Sequence, residues 1–384
     1  MSGLDARLLA LRGFARDWGR QLRGIAEEVA ADRAAIERHV QLPVLRYLAT
    51  AMFTADDASE PLRAGGHEFH LDTVLDQVVF FEELARGDVG TLMAAPGAPL
   101  AGPLVALLGD ADQRRGFTDR LASGPTWTFF GLTEPDHGSD AAAMSTELVA
   151  DGARLLLRGG KKFVGNAPRS QLGVVFARRH PGPLGLRAVL LDVPAPGLTI
   201  TSLDTLGLPG ALLGRLDFAD VPVDPTAVLG EHLPATRRGA YGWTRVFNRL
   251  RPRVAAMAVG LAAAAHDHVS DLHPRPTAAV AARLDELAHR IEGVRRLVRR
   301  AAVAVDADAG AGHLASAAKA RAARVAEEVT LAAEELAGPG ARLDDPVLDA
   351  LVRDARGLEF MEGAGNIQLQ AVAHQVVREH RRAV

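Results

Sequence analysis

Two segments more than two hundred residues apart hold the side chains best suited to chemistry. One is Phe360-Met361-Glu362-Gly363-Ala364-Gly365-Asn366-Ile367-Gln368, which sets a lone carboxylate beside a glycine at the end of a helical stretch. The other is Gly131-Leu132-Thr133-Glu134-Pro135-Asp136-His137-Gly138-Ser139-Asp140, a polar turn after the aromatic run Trp127-Thr128-Phe129-Phe130. In the turn, Thr133 and Ser139 offer hydroxyls, Pro135 and Gly138 fix the bend, and backbone N–H groups can face an electron-rich ring. A weakly acidic C–H needs a base that is accurately placed and raised in pKa by apolar surroundings. Phe360, Met361 and Ile367 supply such surroundings for Glu362. A backbone cradle and an isolated carboxylate together suit proton abstraction beside a bound redox cofactor.

The elements that must position these segments show in the periodicity. Residues 1–125 read as a helical domain: Leu4, Leu8 and Leu11, then Val74, Val78, Phe81 and Leu84, recur at helix-face spacing. Residues 126–230 read as a β domain, with the short apolar runs Leu155-Leu156-Leu157, Val174-Val175-Phe176 and Ala188-Val189-Leu190-Leu191. Turn residues separate those runs, as in an antiparallel sandwich or barrel. Residues 231–384 read as helical again, and Val294, Leu297, Val298, Ala301 and Val305 trace a buried stripe. Arg295, Arg296, Arg299 and Arg300 are expected on its wet face. The fold class is α+β, mainly α.

Composition narrows the functions. The chain has 384 residues, 48% of them hydrophobic and 24% charged, enough for two or three packed units of ordinary globular type. A net charge of −3 disfavours nucleic-acid binding by phosphate neutralisation. Cysteine is absent, which removes disulfides, thiolate nucleophiles and Cys-ligated metals, and fits a cytoplasmic enzyme. The stretch Met1 to Arg7 lacks an apolar signal core, and the longest apolar run, Val254 to Ala265, is too short to span a bilayer. The paired histidines His67 and His70, and His266 and His268, lack the further ligands of a metal site, so no metal is expected.

The turn at 131–140 and the segment at 360–368 resemble the signature stretches of the flavin-dependent acyl-CoA dehydrogenase family. The order helices, small β unit, C-terminal four-helix domain is that family's architecture. By this resemblance the cofactor is FAD, Phe130, Leu132 and Thr133 meet the flavin edge, and Gly138 and Ser139 lie near flavin and substrate. Arg158-Gly159-Gly160-Lys161-Lys162-Phe163-Val164-Gly165-Asn166 is similar to the family's second flavin strand, Gly-x-Lys-x-Trp-Ile-Thr-Asn. Phe163 stands for the tryptophan. Gly165 replaces the threonine whose hydroxyl bonds flavin N5, so that bond is lost.

The resemblance makes Glu362 the catalytic base and Arg251 an active-site arginine. The place where some members carry their base on an earlier helix is here Leu250, which takes no proton. The diphosphate contacts are only partly matched. Arg275 stands in a shortened Arg-x-x-Phe-Gly region, Gly338 and Gly340 in the glycine turn that reaches a neighbouring subunit's FAD, and Ala364 and Asn366 where polar residues often touch the adenosine half.

The resemblance further implies a homodimer or homotetramer oxidising an acyl thioester on CoA or an acyl carrier protein, with a separate electron acceptor. Phe81-Glu82-Glu83-Leu84-Ala85-Arg86-Gly87-Asp88 and the aromatic run before the turn look like the branch that makes hydroxy- or methoxymalonyl polyketide extender units. The alternatives are a flavin monooxygenase on the same fold and a cofactor-free helical binding protein.

Overall fold

A computed structural model describes residues 4–50 and 61–383; residues 1–3, part of the N-terminal stretch Met1 to Arg7, lie outside it. The chain opens with helices α1 (Ala6–Ala31) and α2 (Pro43–Thr50), a hairpin of β1 (Leu62–Ala64) and β2 (His67–Phe69), then α3 (Val74–Ala94), α4 (Ala101–Leu108) and α5 (Ala111–Ala122). Strands β3 (Thr128–Gly131), β4 (Glu147–Asp151), β5 (Arg154–Val164), β6 (Leu172–Arg178), β7 (Leu186–Asp192), β8 (Leu198–Ser202), β9 (Gly214–Val223) and β10 (Val228–Leu229) come next. The chain then returns to helix: α6 (Ala240–Leu272), α7 (Ala278–Ala307), α8 (Gly312–Ala337), α9 (Ala341–Asp344), α10 (Pro346–Leu358) and α11 (Gly365–Ala383).

Local chemistry sets the helix starts. The Asp5 carboxylate accepts from Leu8 N, Thr73 Oγ1 from Asp76 N and Thr277 Oγ1 from Val280 N, each satisfying an amide the helix leaves free. Asp110 and Gln113 form a reciprocal capping box on α5. Asp345 caps α10, whose first residue is Pro346.

Helix α3 lies between α1 and α6. A Cβ on Gly87 would stand 2.1 Å from the Gly19 carbonyl oxygen, and one on Gly260 would stand 2.1 Å from the Glu82 carbonyl oxygen. Backbone therefore meets backbone on both flanks of α3. The alanine-rich centre of α6 is buried throughout from Val254 to Ala265, as expected of a helix enclosed on all sides. Among the described residues no helix is long and apolar enough to cross a membrane.

Three local expectations need correction. The first domain is not all helix: Gly65 and Gly66, both at positive φ, turn the β1–β2 hairpin. The sheet, in the order β10-β7-β6-β4-β5-β9-β8, is not purely antiparallel, because β3 pairs in parallel with β6, and β4 touches β6 in parallel. β3 enters from the helical domain rather than from a hairpin, so nothing forces it to run opposite its neighbour. Nor are all four arginines of α7 on a wet face. Arg295 donates to Glu82 of α3 at 2.6 Å and Arg299 lies 3.9 Å from the same carboxylate, since α7 packs beside α3 and the buried Glu82 needs countercharge.

Candidate active site

Between α10 and α11 the chain makes a tight turn, with Glu362 at φ +48° and Gly363 at φ +100°. Left-handed backbone is strained for glutamate and needs outside support. That support comes from three helices. Lys319 of α8, fully buried, donates through Nζ to the carbonyls of Glu359 and Gly363. Gln368 of α11 donates through Nε2 to the carbonyls of Glu362 and Gly363, both at 2.9 Å. Arg251 of α6 donates through Nε to the Glu362 carbonyl at 3.2 Å.

These bonds all go to backbone, and the Glu362 carboxylate is left out of them. Its Oε2 is sealed from solvent and has no hydrogen-bond partner. An unpaired buried carboxylate oxygen is costly in a folded protein and calls for an explanation. Burial raises its pKa, against the pull of Arg253, Lys319 and Arg251, and burial prevails.

Aromatic contacts join this turn to the β domain. The Arg251 guanidinium carbon lies 5.8 Å from the centre of the Phe247 ring, one helical turn earlier. The Phe247 ring is in turn 5.8 Å from that of Phe130, at the end of β3. The base candidate and the polar turn therefore share one packed wall. Leu250, on the same stretch of α6, is buried and apolar.

The polar turn has its own anchor, which sequence reasoning gave no role. Glu134 and Lys161 form a buried ion pair at 2.8 Å, with side chains 2% and 0% exposed. Glu134 also accepts from Ser145 N, Ser145 Oγ and Thr146 N. Lys161 Nζ reaches the Leu132 carbonyl, and Lys162 N donates to the Thr133 carbonyl at 2.9 Å. The turn is thus fastened to β5 from below while Gly138 and Ser139 stay exposed.

Beside it, Phe163 is 58% exposed at φ +60° with the Lys162 ammonium over its ring, while Val164 points into the core. A Cβ on Gly165 would meet nothing closer than 3.9 Å. An outward-facing aromatic side chain next to open space fits a planar ring system. These residues and the polar turn fit the isoalloxazine of FAD.

The remaining candidates divide into two places. Ala364 and Asn366 stand at the start of α11, where the Ala364 carbonyl accepts from Ile367 N and Gln368 N. Arg275 lies in the exposed loop after α6. His273 Nε2 in that loop is 3.0 Å from the Leu336 carbonyl, so Arg275 shares one end of the bundle with Gly338 and Gly340, both at positive φ. From Arg251 to the end of α6 is about 30 Å at 1.5 Å per residue, so within one chain these three do not join the Glu362 cluster.

Lys319, Arg253 and Gln368 were also given no role in the sequence reading. The available signal was charge in an apolar context: Lys319 among alanines, and Arg253 at the head of the apolar run of α6.

Comparison with known proteins now settles the family. The sequence model for the acyl-CoA dehydrogenase middle domain matches residues 129–221, and that for the acyl-CoA dehydrogenase C-terminal domain matches residues 237–377. The chain belongs to the acyl-CoA dehydrogenase family. It is therefore an oxidoreductase of a family that uses FAD. An acyl-CoA dehydrogenase of Bacillus subtilis (strain 168) is 29% identical over 77% of this chain and 80% of its own length. The human mitochondrial short-chain specific acyl-CoA dehydrogenase is 28% identical over 85% and 80%. Among solved structures, butyryl-CoA dehydrogenase from Megasphaera elsdenii superposes with a TM-score of 0.84 at 24% identity, covering 98% of this chain and all of that one. The prolyl acyl carrier protein oxidase AnaB shares the fold at a TM-score of 0.78 and 21% identity, over 97% of this chain and 100% of its own.

Proposed function

We propose that this acyl-CoA dehydrogenase family member oxidises an acyl thioester, with Glu362 as the base that removes the α-proton. The carrying observation is the sealed, unpartnered Glu362 Oε2 on a turn whose backbone is held by Lys319, Gln368 and Arg251. A carboxylate oxygen with no hydrogen bond is a stronger base than one already engaged, and the bonds to the surrounding backbone keep it placed. FAD, when bound, supplies the acceptor for the hydride that leaves the neighbouring carbon. Phe130, Leu132, Thr133, Gly138, Ser139, Phe163, Val164 and Gly165 would hold its ring. Ala364 and Asn366 would meet the adenosine side, while Arg275, Gly338 and Gly340 would serve the FAD of a second subunit in a homodimer or homotetramer. The electrons then pass to a separate acceptor protein.

The carrier of the acyl group is proposed to be an acyl carrier protein, in the making of hydroxy- or methoxymalonyl extender units. The stretch 81–88 and the aromatic run before the polar turn support this, and an acyl carrier protein oxidase is known on the same fold. The test is an anaerobic titration of the purified yellow protein with one acyl group presented on CoA and on a carrier protein, read as loss of flavin absorbance. Bleaching favoured by the carrier-bound form is expected. Clear CoA preference overturns the carrier, and no bleaching by any thioester overturns the reaction.

The open space beside Gly165 favours one other reading, an oxygen-activating flavin monooxygenase on this fold. That reaction needs no α-proton base, so oxygen-dependent product that persists in Glu362→Gln would select it.

A further inference from the structure

We propose that Asn248 is a positioning residue for the base: its side-chain amide, clamped between the Ala309 carbonyl and Gly312, orients the Arg251 guanidinium onto the main chain of Glu362. This rests on the reading of Glu362 as the base and extends that site by one residue.

Arg251 bonds two neutral oxygens. Its Nε donates to the Glu362 carbonyl at 3.2 Å and its Nη1 to Asn248 Oδ1 at 3.0 Å. Both nitrogens belong to one planar, rigid fork, so two bonds set the position and the rotation of the guanidinium. The Glu362 bond alone would leave a long, flexible side chain free to turn. Asn248 is itself held. It is 8% exposed, and its Nδ2 donates at 3.3 Å to the Ala309 carbonyl, in the loop between α7 and α8. Gly312, the first residue of α8, lies so close that a Cβ there would collide with the Asn248 amide. Two helical turns further along α8 stands Lys319, which bonds the Glu359 and Gly363 carbonyls. The turn that carries the base and the amide that aims Arg251 are therefore fixed to the same helix.

An amide suits this place for two reasons. Its oxygen faces the guanidinium and its nitrogen faces a carbonyl. Turned over, it would set donor against donor and acceptor against acceptor, so the two partners fix one orientation. The second reason is charge. Arg253 and Arg251 from α6 and Lys319 from α8 act on the Glu362 carboxyl, all in favour of its ionised form. An aspartate at 248 would also accept from Arg251, but its negative charge would cancel much of that arginine's effect. A neutral acceptor orients Arg251 and leaves its charge intact.

The test compares flavin-loaded wild type with Asn248→Asp, which keeps the acceptor, and Asn248→Ala, which loses it. The Glu362 titration is read without substrate, from the carboxyl infrared band that Glu362→Gln removes. Both Asn248 variants are expected to move its midpoint up, Asn248→Asp by neutralising Arg251 and Asn248→Ala by releasing it. Anaerobic bleaching by a butyryl thioester, on CoA or on a carrier protein, should slow about 10- to 10²-fold in Asn248→Ala, the size of one hydrogen bond to a charged group. In an Arg251→Met background, Asn248→Ala should cost little more. Gly312→Ala, whose methyl must push the amide aside, should move the midpoint the same way, and it serves where Asn248→Ala does not fold. An unmoved midpoint in Asn248→Asp overturns the proposal, as do losses that simply add in the double variant. Failure of the base reading looks different: Glu362→Gln would bleach normally, while the infrared midpoint of wild type still answered to Asn248.

Discussion

Two glutamates in this molecule lie near fully buried lysines and have opposite fates. Glu134, near Lys161, accepts four hydrogen bonds, from Lys161 Nζ, Ser145 N, Ser145 Oγ and Thr146 N. Those donors hold its carboxyl down to about 2 despite burial. Glu362, near Lys319, accepts none at its sealed Oε2, and burial pushes it up. The lysines explain the contrast. Lys161 points its ammonium at the carboxylate, whereas Lys319 points its ammonium at the main-chain carbonyls of Glu359 and Gly363. Burial still lowers Lys161 to about 8, against the opposing pull of Glu134. The pair is nonetheless charged at neutral pH. Donor direction thus separates a carboxylate that fastens the fold from one left available as a reagent.

The contrast breaks most visibly at Glu362. Glu362→Gln should keep its flavin and slow substrate bleaching by about 10²–10⁴-fold, the usual loss for a positioned base. Stability should hold or rise, because the variant removes a buried charge whose Oε2 has no hydrogen-bond partner. Stopped-flow absorbance and thermal melting on one preparation check both halves. Normal bleaching would end the assignment.

Glu134→Ala should do the reverse. Removing one partner of a buried pair leaves Lys161 uncompensated and costs about 3–5 kcal/mol. Denaturant unfolding should show that loss, and flavin retention should fall as the 131–134 turn loosens. Replacing both partners, as in Glu134→Leu with Lys161→Met, should recover part of the loss. If the single variant is as stable as wild type, the structural role given to Glu134 is wrong.

The pH dependence sharpens the contrast further. Glu362 works as a base only when deprotonated, and its pKa lies above the ordinary carboxylate range. Bleaching should therefore fall as pH drops, with a midpoint higher than a free carboxylate would give. The charges of Arg253, Lys319 and Arg251 all act to lower this group's pKa, so removing one of those charges should move the midpoint up. A midpoint unmoved in Lys319→Gln would show that Lys319 acts on the backbone alone.

A third buried carboxylate lies between these extremes. Asp354 of α10 accepts one bond, from Leu208 N at 2.6 Å, near Asp88 of α3, and burial pushes it up to about 7. Its folded pKa exceeds the ordinary aspartate value of 3.8, so between those values the native state holds a proton the unfolded chain has lost. Stability should accordingly fall as pH rises through that window. Melting temperature tracked against pH should show this slope in wild type and a flatter line in Asp354→Asn, whose side-chain oxygen still accepts from Leu208. Parallel lines would remove Asp354 as the cause.

How much of this was readable in the sequence depends on how local each feature is. The helical and strand periodicities, and the signature residues around Thr133 and Glu362, are written in short windows and were legible. The partners that decide each carboxylate's role were not. Lys319 is 43 positions before Glu362, Arg253 more than a hundred, and Lys161 lies 27 beyond Glu134. No periodicity marks which buried cation will meet which carbonyl. The same limit hid the parallel pairing of β3 with β6 and the inward turn of Arg295, since both depend on which element lies alongside. Arg253 is instructive because it interrupts an apolar face, a signal visible in sequence but silent about what it faces.

The smallest expected effect concerns Gly165, where the chain lacks the threonine hydroxyl of its family. Its backbone is not in the left-handed region, and an added Cβ meets the Ala211 oxygen and Leu213 Cδ2 no closer than 3.9 Å. Gly165→Ser should therefore fold within about 0.5 kcal/mol of wild type. The restored hydroxyl would add one donor beside the bound ring, an increment of about 0.5–1.5 kcal/mol, so bleaching should change by about tenfold at most. A shift in the flavin absorption band or reduction potential, with Glu362's pH midpoint unchanged, would place residue 165 on the cofactor side and leave the base independent of it. A moved midpoint would mean the two sides are coupled, and the separation drawn between the fastened β-domain turn and the free carboxylate would have to be given up.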